Sequence, residues 1–152
     1  MEHLIFFGLL IWISFVMAKL EINIEGENGW AKNLPTWRLP PSHWVSKVFF
    51  GGKEATGYHL WLNLFEYSFV QLVFVFIPFS WNIEFRLISF VFLLWVIEDF
   101  LWFLINPKYG IRKFNKKYIP WHERVWWIFA PRDYFILASV GILFYLLSFY
   151  VI

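Results

Sequence analysis

The sequence predicts an all-α integral membrane protein with four transmembrane helices and two short interfacial helices in its loops, and three observations lead there. Hydrophobic residues make up 60% of the chain and aromatic residues 25%, against 16% charged, at a mean hydropathy of +0.56. A soluble fold of 152 residues has nowhere to bury that much apolar surface. Four apolar runs alternate with polar stretches, and the chain holds eleven Trp, a residue that collects with Tyr at bilayer interfaces. The chain has no cysteine, so disulfides, thiolate nucleophiles and zinc–thiolate sites are excluded.

The first run, Leu4 to Ala18, is closed by Lys19 and Glu21 and predicts a span over residues 4–19. It reads as an uncleaved helix. Glu2 and His3 stand where a secretory signal carries basic charge, and no small-x-small site precedes Lys19, whose long stem reaches back to the interface. LEINIEG, from Leu20, then alternates apolar and charged residues as a short strand does, and ENGW is a turn signal. Within PPSHWVSKVFFGG the sequence predicts the first interfacial helix over 42–50, with Ser42 as N-cap and Gly51-Gly52 as its stop. Trp44, Val45, Val48 and Phe49 share its apolar face.

A hydrophobic hairpin follows from Tyr58 to Asn106, its arms at 58–79 and 85–106. Each arm has about the 20 residues that cross a bilayer's hydrocarbon core, and only SWNIE separates them. After the basic turn PKYGIRKFNKK, residues 120–130 predict the second interfacial helix, bounded by Pro120 and Pro131, with Trp121, Val125, Trp126 and Phe129 toward the membrane. The fourth span covers 133–152. No repeat or second domain is visible, so residues 1–152 form one bundle. Of the 13 Lys and Arg, 12 lie in or beside loops 20–57 and 107–132, and the hairpin tip has only Arg86. The positive-inside rule therefore predicts a multi-pass protein of the cell membrane with those loops cytoplasmic and both termini outside.

The hairpin carries the chemistry. At 100° per residue, His59, Asn63 and Glu66 share one stripe of the first arm, and Asp99 and Asn106 share one stripe of the second. Glu66 lies eight residues in from Tyr58, and Glu98 eight before Asn106, so Glu66, Glu98 and Asp99 sit at one depth in the cytoplasmic half. A carboxylate facing lipid there costs several kcal/mol, so these acids are expected to face protein, pair, bind a cation or carry a proton. Catalytic roles are assigned to Glu66, Glu98 and Asp99. With His59 and His122 they also form an oxygen and nitrogen donor set suited to a divalent Zn, Fe or Mn, and His43 in PSHW is a further donor. Lys108, Arg112 and Lys113 are placed to hold a substrate head group.

Each residue also has a structural role to weigh. Asp99 can pair with His59, Asn63 and Asn106 can fasten helices, His43 and His122 can be wet interfacial side chains, and His3 a terminal polar residue. There is no HExxH, no histidine-box series, no phosphate loop and no nucleophile elbow. The expected function is a small membrane enzyme, metal-dependent, acting on a lipid or lipid-like substrate from the cytoplasmic side. The alternatives are an oligomeric proton-coupled transporter or channel subunit, or an accessory subunit of a larger membrane complex. Membrane lipids and a second copy are the expected partners. Nucleic acid is not, since the basic segment is short and lies at a membrane.

Overall fold

The computed structural model describes residues 1–151; Ile152, the last residue of the fourth expected span, lies outside the described residues. The chain is mostly helical, at 64%. Two helices are long and apolar enough to cross a membrane, α1 (Glu2–Glu25) and α4 (Trp81–Ile105). Two shorter helices complete the bundle, α3 (Gly57–Val70) and α5 (Arg132–Leu147), and the six-residue α2 (Trp44–Phe49) sits in the first loop. Two-residue ladders stitch the loops. β1 (Arg38–Leu39) pairs antiparallel with β2 (Ala55–Thr56), and β3 (Trp126–Trp127) pairs antiparallel with β4 (Ala130–Pro131).

The central element is α4, with α1 along one side and α5 along another. Contacts along the helices fix their directions. Leu10 clusters with Leu93 and Leu94, and Ala18 with Trp102 and Phe103, so α1 and α4 run parallel. Gly141 of α5 lies against Leu93, while Tyr134 reaches Asp99, so α5 runs the other way; so does α3, whose Glu66 meets Trp95 and whose Tyr67 meets Glu84. The C-terminal ends of α1 and α4 and the N-terminal ends of α3 and α5 therefore share one end of the bundle, beneath the two long loops.

Several expectations are corrected here. Residues 20–25 form no strand: α1 continues through them to Glu25 and stops where Gly26 turns to φ 70. The buried face of α1 explains why. Leu10, Ser14, Ala18, Glu21 and Glu25 recur at three- and four-residue spacing, one stripe of a helix, and all five are buried. The first arm of the hairpin is not one helix over 58–79. It is α-helical to Val70, tightens to 3₁₀ geometry over Gln71–Val75 and is irregular before Pro78, which has no amide donor and keeps its predecessor out of helical dihedrals. The last four residues of SWNIE belong to α4, which starts at Trp81 behind Ser80. In α2 the N-cap is His43 rather than Ser42, its Nδ1 accepting from the Val45 amide at 3.2 Å, and the positive-φ Gly51 and Gly52 follow its end as expected.

The second interfacial helix, expected over 120–130, does not form. Glu123–Val125 is a 3₁₀ turn, and β3 and β4 make a small hairpin around Ile128 at φ 46. Tertiary packing overrides the helical spacing of its aromatics. Trp121 and Trp126 join the core around Trp102 and Phe103, and His122 is fully buried.

Helix contact is close where side chains are small. A Cβ on Gly141 would stand 2.8 Å from Leu93 Cγ. Gly141→Val is expected to destabilise the fold by about 1–3 kcal/mol through overpacking, read as a lowered thermal midpoint in detergent. An unchanged midpoint would show that α5 does not lie this close to α4.

Candidate functional site: an acid-lined cavity beneath the loops

At the loop end the helices part around a cavity of about 350 Å³. Six carboxylates line it: Glu21 and Glu25 from α1, Glu66 from α3, Glu98 and Asp99 from α4, and Asp133 from α5. The Lys and Arg on its wall are Lys47, Lys53 and Arg132. The three acids singled out by depth and helical phase thus meet in one space, as antiparallel α3 and α4 require.

Each acid has its own setting. Glu66 Oε2 accepts from Trp95 Nε1 at 2.6 Å. Glu21 Oε1 accepts from the Tyr58 hydroxyl at 3.2 Å, and Glu25 takes the Ala31 amide and faces His59 Nε2 at 3.4 Å. Glu98, 9% exposed, keeps Oε1 buried with no hydrogen-bond partner among the described residues. Such an atom costs stability unless something supplies the missing donor. Asp99 Oδ2 accepts from the Tyr134 hydroxyl at 2.6 Å and lies 3.3 Å from His122 Nε2. At the mouth Lys53 pairs with Asp133 at 3.2 Å and rests over the Trp30 ring, while Arg132 donates to the Gly51 carbonyl at 2.9 Å. Gly51, at φ 60, leaves room that a Cβ would take from Asp133 Oδ1.

The histidines divide. His59 stacks on Trp30 at 4.3 Å between ring centroids, hydrogen-bonds Thr56 through Nδ1 and turns to Glu25, so the pairing with Asp99 considered from sequence is not made. Asp99 faces His122 instead. His122 is not a wet interfacial residue; it is fully buried, and neither ring nitrogen has a hydrogen-bond partner among the described residues. His43 caps α2 away from the cavity. Among the described residues no three His, Asp or Glu side chains are grouped as a metal ion needs.

The head-group cations fall elsewhere than expected. Lys108, Arg112 and Lys113 do not line the cavity. Lys108 pairs with Glu27 at 2.9 Å and holds that exposed carboxyl below its usual range by hydrogen bond and charge, and Lys113 Nζ donates to the Lys108 carbonyl. The Lys and Arg that do line the cavity are Lys47, Lys53 and Arg132. The asparagines separate as well: Asn63 is on the cavity wall, and Asn106 fastens α1 to α4 by donating to the Gly26 carbonyl at 3.3 Å.

Burial, and then the Lys53 ammonium, push His122 below the usual imidazole value, against the upward pull of Asp99. A ring held neutral in the folded chain takes up a proton on unfolding once the pH is below about 6.5, the ordinary imidazole value. The folded state is then the one with fewer protons, so stability is full above that pH and falls as the pH drops through it. His122→Gln is expected to flatten that part of the curve. Parallel curves for wild type and variant between pH 7.5 and 5.5 would mean that His122 is not held neutral.

No protein-family profile, curated protein or solved structure matches this chain.

Proposed function

We propose that the chain is a four-span membrane protein that works as a small enzyme on a lipid-like substrate, using the carboxylates of the loop-end cavity to move protons. Insertion follows the charge rule: loops 20–57 and 107–132 lie in the cytoplasm and the termini outside. The observation that carries this reading is the convergence, in one cavity, of acids from four helices, with Tyr134 hydrogen-bonded to Asp99 on its wall and the buried His122 ring 3.3 Å from Asp99. Buried acids within membrane spans are expensive and are functional by default. In this scheme Asp99, oriented by Tyr134, and the neutral imidazole of His122 handle one proton, and Glu98 Oε1 takes a hydrogen bond from the substrate. Lys47, Lys53 and Arg132 at the mouth hold the polar end of the substrate.

This chemistry uses no divalent Zn, Fe or Mn of the kind expected from sequence, because among the described residues no three His, Asp or Glu are grouped as such an ion needs. One equivalent of such a metal in purified protein, absent from Glu98→Gln, would bring it back.

The test is untargeted mass spectrometry of a total membrane-lipid extract incubated with the purified chain. Wild type is expected to deplete one lipid class with time and accumulate a related one, and Glu98→Gln to do neither. No wild-type change in any species would remove the enzyme reading.

A second reading, an oligomeric proton-coupled transporter or channel subunit, draws on α3. Only Gly57 and Glu66 of that helix are buried, so its outer face is open to a second copy. A strictly monomeric particle in nanodiscs would count against this alternative.

A further inference from the structure

Glu66 lines two spaces. On one side it faces the acid-lined cavity; on the other it closes the end of an apolar groove of about 570 Å³ between α1, α3 and α4. Ile5, Leu9 and Ile13 of α1, Phe69 of α3, and Phe90 and Leu94 of α4 form its walls. The groove's far end carries Arg86 and Glu2, which pair at 3.2 Å. Its α4 wall runs from Arg86 to Leu94, beside Glu66, about 12 Å at 1.5 Å per residue and close to the ~15 Å half-thickness of a bilayer's hydrocarbon core. The groove thus has the volume and the apolar lining for a lipid tail, and Glu66 alone stands between its end and the polar chamber.

The chamber's charge says what the head of that lipid carries. Six carboxylates face three Lys or Arg, and the cations lie at the loop side, where Lys53 already pairs with Asp133. Glu66, on the groove, and Glu98, farther into the chamber, have no ion-pair partner among the described residues, and the buried Glu98 Oε1 has no hydrogen-bond partner among them. A fatty acid's carboxylate would add negative charge to this end; an ammonium would neutralise it and supply the missing N–H.

From this junction we propose that the substrate is a single-chain lipid with a primary amine head, its tail in the groove and its ammonium between Glu66 and Glu98. The proposal rests on the lipid-enzyme reading above and names its substrate class.

Hexadecylamine binding to the full chain in phosphatidylcholine nanodiscs, corrected for empty discs, tests it. One saturable site per chain is expected, with hexadecanoate and butylamine at least ten-fold weaker, because the first brings the wrong charge and the second has no tail. Glu66→Gln and Glu98→Gln are each expected to weaken binding at least ten-fold. Leu9→Trp, half-exposed on the groove rim, is expected to weaken hexadecylamine without altering the acids. Equal retention of hexadecanoate, no binding above empty discs, or indifference to all three substitutions would overturn the assignment. If hexadecylamine fails while the lipid extract is still turned over, only the amine head and the groove are wrong. If the extract is untouched while hexadecylamine binds as described, the enzyme reading falls and the ligand assignment stands.

Discussion

Asp99→Asn is expected to lower turnover of the proposed lipid-like substrate by about 10²–10⁴-fold, the contribution that a positioned acid or base makes. The amide keeps the size of the side chain and can still accept from the Tyr134 hydroxyl, so the helices keep their packing. What it removes is the negative charge 3.3 Å from His122 Nε2, and with it the ability to take up a proton from that direction. Initial rates from the lipid mass-spectrometric comparison read the effect. Equal rates in the two proteins would take Asp99 out of the chemistry and leave it as a hydrogen-bonded strut between α4 and α5.

The second large effect is on stability. Phe103 is 1% exposed and stacks against Trp121 at 6.0 Å between ring centroids, with Phe114 and Tyr109 at its edges and the His122 ring 6.1 Å away. With Trp102, which also meets Trp121 and Tyr109, this side chain fastens the second long loop to α4. Phe103→Ala is expected to cost about 3–5 kcal/mol, the range for deleting a buried aromatic ring. It is also expected to expose His122, so that the imidazole returns toward its ordinary titration. Thermal unfolding in detergent reads the first consequence, and the pH dependence of stability reads the second. A variant with wild-type stability would show that the loop is held by other contacts.

The helices were legible because long apolar runs leave few alternatives, and the antiparallel arms put Glu66, Glu98 and Asp99 at one level without any knowledge of packing. Glu21 and Glu25 were missed for a physical reason. Polar residues at every second position of LEINIEG imitate a strand, whereas its two charges, Glu21 and Glu25, extend the stripe of Leu10, Ser14 and Ala18 when the helix simply continues. That continuity was available in the spacing. The loop over the cavity was not. Trp121, Val125, Trp126 and Phe129 are as well spaced for a helix as any interfacial segment, and only the burial of His122 beside Asp99 and the packing of Trp121 on Phe103 select the turn and hairpin instead. Nor can chain order reveal which cations reach a cavity. Lys47 and Lys53 come from the first loop and Arg132 from the start of α5, while the denser cluster around Lys113 lies outside it.

The stripe of acids on α1 also constrains how the helices can be assembled. Shifting the sequence of α1 by one residue along a fixed helical path turns Glu21 and Glu25 by 100°, out of the space they share with Glu66, Glu98 and Asp99. Exchanging leucines would tolerate such a slip; buried carboxylates on α1, α3 and α4 do not. The groups that make the site costly therefore also select the register of the bundle, since a shifted arrangement would bury the same carboxylates away from their partners.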